Sequence, residues 1–265
     1  MTDPPPLPAA DPPPPEEATT VQLALVHARY QLLEIIRIPV AVFGSAFFPA
    51  AAMIFFVVPF AGDDSVGASY ATASMITFSV MSANIFQYGV GVAEDRDQPW
   101  SPYTRTLPAG PAPRFAGRVL AGLALTYLSL IPVVVIGATL TAAKITPAAF
   151  LLTVGTVAVI SVPFTLMGLA IGYSLPSKAA IVVAQVVFLP LAFGGGLLSA
   201  PGDAPGFIET IAPFLPTRGA AELMWASVSD YHVQPLALIM LGVWVVLLAT
   251  LAGWAYRRDE GRRFS

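Results

Sequence analysis

Side chains that could catalyse a reaction are few in this chain and lie far apart in its sequence. The two histidines, His27 and His232, are separated by most of the chain, and cysteine is absent. The sequence contains neither a G-x-x-x-x-G-K-[ST] phosphate loop nor an H-E-x-x-H zinc motif. The glycine triplet 194–196 ends an apolar run without a nearby lysine, which favours close helix packing over phosphate binding. We therefore predict no catalytic, metal or nucleotide site, and no nucleic-acid partner.

The candidate functional residues instead lie in one polar stretch, 94–118, with the sequence EDRDQPWSPYTRTLPAGPAPRFAGR. It separates two long apolar runs and carries seven charged residues, four of them arginine. Within the apolar runs the notable polar side chains are the uncharged amides of Asn84, Gln87 and Gln185. These amides could contact a transported molecule, or they could form hydrogen bonds between packed helices.

The elements that must position these residues are long apolar segments. Hydrophobic residues make up 56% of the chain and charged residues 11%, against roughly 25% charged residues in soluble domains. The apolar runs are longer than the roughly 4–8 residues of a buried strand and suit helices that cross a bilayer. We predict an all-α membrane protein with six spans at about 38–60, 69–93, 119–143, 148–172, 179–198 and 233–256.

Three other segments complete the predicted architecture. Residues 1–17 contain eight prolines and form a disordered tail, so that 18–265 make up one transmembrane domain. Residues from about 19 to 37 form a helix too polar to span, which suits an amphipathic helix at the membrane interface or an extension of the first span. Between spans five and six, prolines divide 199–232 into short helices, predicting a re-entrant segment. In this segment Arg218 and Glu222 are four residues apart and can form an ion pair. If solvated, such a pair contributes a few tenths of a kcal/mol to stability.

The distribution of Lys and Arg predicts the orientation. With the N-terminus inside the cell, eleven of the 13 basic residues lie in cytoplasmic segments, and only Lys144 and Arg218 lie outside. Both termini and the 94–118 stretch are then cytoplasmic. The charged residues can all be assigned to loops, helix ends or the interfacial helix. This disfavours an ion-driven carrier, so the energy for any transport must come from another polypeptide.

Two groups of residues resemble a known family. The first comprises the acidic cluster Glu94-Asp95-Arg96-Asp97, then Leu107-Pro108, then Gly117-Arg118. The second is the stretch 190–224, in which small residues, prolines and two short helices precede the last span. Together with the topology, they resemble permease subunits of the type-2 ABC exporter family, especially drug exporters. The chain departs from the family pattern at Gln98-Pro99-Trp100.

The resemblance implies a pair of permease subunits, identical or different, bound in the lipid bilayer to two cytoplasmic ABC ATPases. ATP and Mg²⁺ would bind to those ATPases, and this chain would bind no cofactor. A short coupling helix in the first cytoplasmic loop, within 95–106, would dock on an ATPase. The implied coupling residues are Glu94, Asp95, Arg96, Asp97, Trp100 and Tyr103. Trp100 and Tyr103 could equally be aromatic residues at the headgroup level.

The resemblance and the topology also predict the function. We expect a transport subunit without enzymatic activity of its own, in a bacterial inner membrane, exporting an amphipathic or apolar molecule that is drug-like or lipid-like. Asn84, Gln87 and Gln185 are its candidate substrate contacts. Two alternatives stay open, namely a permease for a lipid-linked glycan or polysaccharide, and a non-transporting anchor or regulatory subunit. An ATPase that co-purifies with the chain would favour the exporter.

Overall fold

The computed structural model describes residues 19–37, 47–61, 63–99 and 112–262. Over these ranges the chain is helical and contains no β-strand, which confirms the predicted all-α class. The helices before residue 100 are α1 (Thr20–Ile36), α2 (Phe47–Phe60) and α3 (Ser65–Asp97). Those after residue 111 are α4 (Ala112–Leu140), α5 (Pro147–Ser174), α6 (Ser177–Gly194), α7 (Gly206–Ile211), α8 (Pro216–Val228) and α9 (Pro235–Arg262). The predicted tail over 1–17 lies outside the described residues.

Four helices, α4, α5, α6 and α9, are long and apolar enough to cross a membrane. They overlap the last four predicted spans. Helix α2 is apolar but shorter, and residues 38–46 of the first predicted span lie outside the described part. Helix α3 contains the second predicted span and has 33 residues, but its many Ser, Thr and Gly residues keep it out of this group. The helices thus indicate a multi-pass membrane protein, and the number six remains a prediction.

Helix α3 lies at the centre of the bundle, with α2, α4, α5, α6 and α8 packed around it. Its composition follows from this position, because a helix surrounded by other helices does not need a lipid-compatible surface. Several small polar side chains are buried along it: Ser74, Thr77, Ser79, Ser82 and Asn84. Neighbouring helices supply some of their hydrogen-bond partners; the Ser79 and Ser129 hydroxyls, for example, lie 3.4 Å apart between α3 and α4.

Helices α3 and α5 approach so closely that their backbones touch, and glycines on α5 make this possible. A Cβ atom built on Gly172 would lie 2.5 Å from the carbonyl oxygen of Tyr88, and one on Gly168 would lie 2.8 Å from that of Asn84. Real Cβ atoms do not come that close to backbone oxygen. The close approach brings the C-terminal ends of the two helices together, where the 94–97 cluster lies.

Helix α1 packs along α4 through small residues. Ala24 and Ala28 are buried, and a Cβ atom on Gly117 of α4 would lie 2.5 Å from the Cβ of His27. The opposite side of α1 exposes large apolar residues, including Leu25 and Tyr30. This helix coincides with the segment predicted to lie at the membrane interface, and its depth in a membrane remains a prediction.

Two short helices connect α6 to α9, as predicted from the prolines. The chain leaves α6 through Gly196 and Gly202, whose φ angles of +75° and +85° are readily adopted only by glycine. Helix α7 buries none of its side chains, whereas α8 is almost entirely buried between α3, α5 and α9. Whether this segment is re-entrant from the outer side of a membrane remains a prediction.

Candidate functional site

The acidic cluster 94–97 forms the last turn of α3, and Arg96 connects it to two other helices. Its Nε donates a hydrogen bond to Oδ1 of Asp259 on α9 at 3.0 Å, and its Nη2 donates to the same oxygen. Its Nη1 donates to the carbonyl oxygens of Gly172 at 2.6 Å and Leu175 at 3.1 Å. Carbonyls at a helix C-terminus lack partners within the helix and carry partial negative charge. Arg96 therefore donates hydrogen bonds both to the C-terminal carbonyls of α5 and to a buried carboxylate of α9.

The two aspartates beside Arg96 contact two further helices. Asp95 accepts a hydrogen bond from Arg118 on α4. Asp97 accepts from the backbone N–H of Ser177 at 3.3 Å and also from its hydroxyl. Ser177 is the first residue of α6, where the helix dipole favours a negative charge. One helical turn of α3 thus holds the ends of α4, α5, α6 and α9.

We call this arrangement the junction and define it by six residues: Asp95, Arg96, Asp97, Arg118, Ser177 and Asp259. Its Arg and Asp side chains are paired, and in the part of the chain that the structure describes no candidate nucleophile or general base faces a substrate-sized space here. The adjoining cavity holds about 30 Å³ and is lined by Arg96, Tyr173, Ser174, Ala255, Arg258 and Asp259. That volume fits one or two water molecules. Among the described residues, the junction is therefore suited to connecting helices.

The predicted coupling residues fall into three groups. Asp95, Arg96 and Asp97 make the junction contacts, although both aspartates are exposed, and Glu94 is exposed as well. Trp100 and Tyr103 lie outside the described residues. The docking role of all six stays a prediction. Sequence reasoning missed Asp259 and Ser177 as partners, although one signal for Asp259 was visible, since it is one of two acidic residues between the four arginines of the end Arg-Arg-Asp-Glu-Gly-Arg-Arg.

The three predicted substrate contacts lie in different environments. Asn84 is buried, and its Nδ2 donates to Val80 O at 2.8 Å and to Thr126 Oγ1 at 3.2 Å. Its Oδ1 accepts from Thr165 at 2.8 Å, so that one amide connects α3, α4 and α5. This is the interhelical hydrogen bonding that was the alternative to substrate contact. Gln87 is half-buried, and Gln185 lies on the exposed face of α6. Their substrate roles stay predictions.

A second cluster surrounds the buried side chain of Arg218, near the other end of α3. The side chains of Arg218 and Glu222 on α8 are 2% and 0% exposed, and Arg218 Nε donates to Glu222 Oε1 at 2.9 Å. Arg218 Nη2 also donates to Oε2 of Glu209 on α7 at 3.4 Å. The sequence predicted this i,i+4 pair, but its burial changes the energetics, because water does not screen the two charges.

The Arg218 cluster joins α8 to its neighbours through further contacts. Glu222 Oε2 accepts the backbone N–H of Gln234, just before α9, at 2.6 Å. The guanidinium of Arg218 lies 4.9 Å from the ring centroid of Trp225, and Trp225 Nε1 donates to Ser74 Oγ on α3 at 2.9 Å. Burial raises the pKa of the nearby Tyr231 hydroxyl, the Glu222 carboxylate raises it further, and the Arg218 guanidinium lowers it in part.

Comparison with known proteins locates both clusters within one family. Residues 22–228, more than half of the chain, match the family described as ABC-2 type transporter. A Bacillus subtilis (strain 168) protein named "Putative transport permease YvfS" is 22% identical over 187 residues, which cover 71% of this chain and 76% of that protein. The family match includes α3 to α8, and thus the junction apart from Asp259 and the Arg218 cluster apart from Tyr231 and Gln234.

Proposed function

The chain belongs to the ABC-2 type transporter family and is a multi-pass membrane transport permease, and we propose that it is the membrane subunit of an ATP-driven exporter. The observation that carries this proposal is the family match over residues 22–228. The junction supports it, because contacts that join the ends of several helices allow those helices to move together as a rigid body.

The proposed energy source is a pair of cytoplasmic ABC ATPase subunits, which bind ATP and Mg²⁺. They dock on the loop that follows α3, with Glu94, Trp100 and Tyr103 among the contacts. Two permease chains, identical or different, form the path through the membrane. Family membership implies an ATPase partner of this general kind, and the absence of a phosphate loop from the sequence supports a separate ATPase.

The proposed topology has six spans, with both termini in the cytoplasm of a bacterium and the chain in its inner membrane. Helices α4, α5, α6 and α9 provide four spans, and α3 and the segment that includes α2 provide the other two. The concentration of basic residues in the segments assigned to the cytoplasm supports this orientation. The junction would then lie on the cytoplasmic side and the Arg218 cluster on the outer side.

The proposed cargo is an amphipathic or apolar small molecule, drug-like or lipid-like. Support comes from the composition of the spans, which are rich in Ala, Val and Leu. A path for a glycan is expected to offer aromatic rings for stacking on sugars. The polar side chains of α3 are mostly buried between helices and are not available in this conformation.

The test is to purify the full chain from its native membrane and identify the proteins bound to it by mass spectrometry. We expect an ATPase with a phosphate loop at one copy per permease. The complex, reconstituted in liposomes, should then pump a fluorescent hydrophobic dye or a labelled phospholipid in an ATP-dependent manner. Recovery of the chain without any ATPase would contradict the proposal and favour an anchor, whereas ATP-dependent movement of a lipid-linked sugar alone would favour the glycan permease.

Replacing both aromatic residues of the proposed docking segment should uncouple the complex. Trp100→Ala with Tyr103→Ala is expected to lower the ATPase activity of the reconstituted complex, or its assembly, by about tenfold, since two aromatic anchors in a partner pocket contribute on the order of 1 kcal/mol or more each. Membrane insertion should be unchanged. Trp254→Ala, which removes a 53%-exposed tryptophan from α9, is the control. Full activity of the double variant would exclude these residues from coupling.

A further inference from the structure

We propose that Arg96 and Asp259 transmit the movement of the docking loop to α9, the last helix, and thereby act as positioning residues for transport. The inference rests on the proposed function and assigns a role to a residue pair within it. Arg96 then contributes to coupling through the inside of the bundle, and not by touching the ATPase. Asp259 lies beyond the matched family segment, which ends at residue 228, and it was not predicted as a functional residue.

The first argument is the burial and geometry of the pair. The side chains of Arg96 and Asp259 are 18% and 4% exposed. Both Nε and Nη2 of Arg96 donate to the same carboxylate oxygen, while Nη1 is held by the carbonyls of Gly172 and Leu175. A guanidinium held by acceptors in several directions cannot rotate freely, because its planar fork is rigid. Movement of Arg96 is therefore passed on to both α5 and α9.

The second argument is the packing of α9. This helix packs chiefly on α5, on α8 and on the short 3-10 helix Ala212–Phe214, and α3 is not among its main neighbours. Movement of α3 would thus reach α9 mainly through α5. The Arg96–Asp259 pair adds a direct connection between the two helices, close to the point where the docking loop begins. The loop leaves α3 at Asp97, one residue after Arg96.

The third argument is electrostatic. Asp259 is an almost fully buried carboxylate, and a buried charge without a partner is strongly unfavourable. Any conformation that separated it from Arg96 would remove two charge-assisted hydrogen bonds from this nearly dry carboxylate. The pair is therefore expected to stay together while the bundle moves. It acts as a stiff connection that persists through the cycle, and not as a contact that opens.

The experiment is hydrogen–deuterium exchange of the full chain in complex with its ATPase in lipid nanodiscs, without nucleotide and with trapped ATP–vanadate. In the wild type, nucleotide should change the exchange of peptides at the end of α3 and at the end of α9. In Arg96→Gln and in Asp259→Asn, the nucleotide response at α9 should be clearly reduced while that at α3 remains, because only packing, mainly through α5, then connects the two helices. Asp259→Glu, which keeps the charge, should restore part of the α9 response.

The matched control is Arg257→Glu, which changes an exposed charge two residues before Asp259 and should leave both responses unchanged. If the Arg96→Gln variant does not assemble with the ATPase, the exchange data of Asp259→Asn alone test the proposal. A merely structural role would raise exchange in both states equally and leave the nucleotide response in place, which would overturn the proposal. An undiminished α9 response in both variants, or its absence in the wild type, would overturn it as well. A wild-type complex that binds no ATPase would instead contradict the proposed function itself.

Discussion

Replacing Arg218 by alanine is expected to destabilise the folded chain by about 3–5 kcal/mol, the range found when one partner of a buried ion pair is removed. The substitution removes the cation that pairs with the carboxylate of Glu222, a fully buried residue of α8. It also removes the cation from the ring of Trp225 and the partner of Glu209. Because this cluster joins α3, α7, α8 and the start of α9, we expect loss of monodisperse protein rather than a local change.

Graded variants make this prediction specific. Glu209→Gln should cost about 1 kcal/mol or less, since that carboxylate is 28% exposed and its contact with Arg218 is long, at 3.4 Å. Arg218→Met combined with Glu222→Met should be less harmful than Arg218→Ala, because it removes the unpaired charge. The measurement is the midpoint of heat-induced loss of the monodisperse peak in size-exclusion chromatography. Equal midpoints for Arg218→Ala and Glu209→Gln would contradict the importance of the buried pair.

Introducing a single methyl group at Gly172 is expected to force α3 and α5 apart. In Gly172→Ala the new Cβ would lie 2.5 Å from Tyr88 O, 2.8 Å from Val92 Cβ and 2.9 Å from Gly89 O. Two of these atoms belong to the backbone and cannot rotate away, so the helices themselves must separate, at a cost of about 3 kcal/mol or more. The carbonyl of Gly172 also accepts a hydrogen bond from Arg96, and the shift would therefore disturb the junction.

Gly155→Ala is the matched control, because it lies on the same helix and its Cβ would have no atom within 4 Å. Alanine is a better helix former than glycine by up to about 1 kcal/mol, so this variant should be neutral or slightly more stable. Thermal midpoints in detergent, together with the ATPase activity of the assembled complex, test both variants. A stable and active Gly172→Ala protein would show that α3 and α5 do not touch as described.

Much of the architecture could be predicted from local features of the chain. The length of an apolar run and the residues that interrupt it are properties of neighbouring residues, and they predicted α4, α5, α6 and α9 as helices that can cross a membrane. Prolines at 201, 205, 213 and 216 predicted short helices before α9 for the same reason. The spacing of Arg218 and Glu222 predicted their pairing. None of these predictions depended on which helices are neighbours in the folded protein.

The candidate site was only half predictable, because its partners are distant in sequence. Arg96 and Asp259 are 163 residues apart, and Trp225 and Ser74 are 151 apart. No periodicity relates such pairs; they meet because glycines let α3 and α5 approach and because α9 packs on α5. Asn84 shows the same limit. Its type suggested either a substrate contact or an interhelical bond, and the structure shows three neighbouring helices bonded through it.

By itself, the sequence determined that this is a helical membrane protein with no phosphate-binding motif of its own and one charged cluster at the end of its second apolar run. Those properties follow from hydropathy and charge, which are set residue by residue. Only the tertiary structure decided that the cluster is a junction of five helices and that the Arg218–Glu222 pair is buried. It also placed the less apolar α3 at the centre of the bundle. The reason is physical: burial and long-range pairing depend on how helices pack, and the same charged residue has a different role in water and between helices.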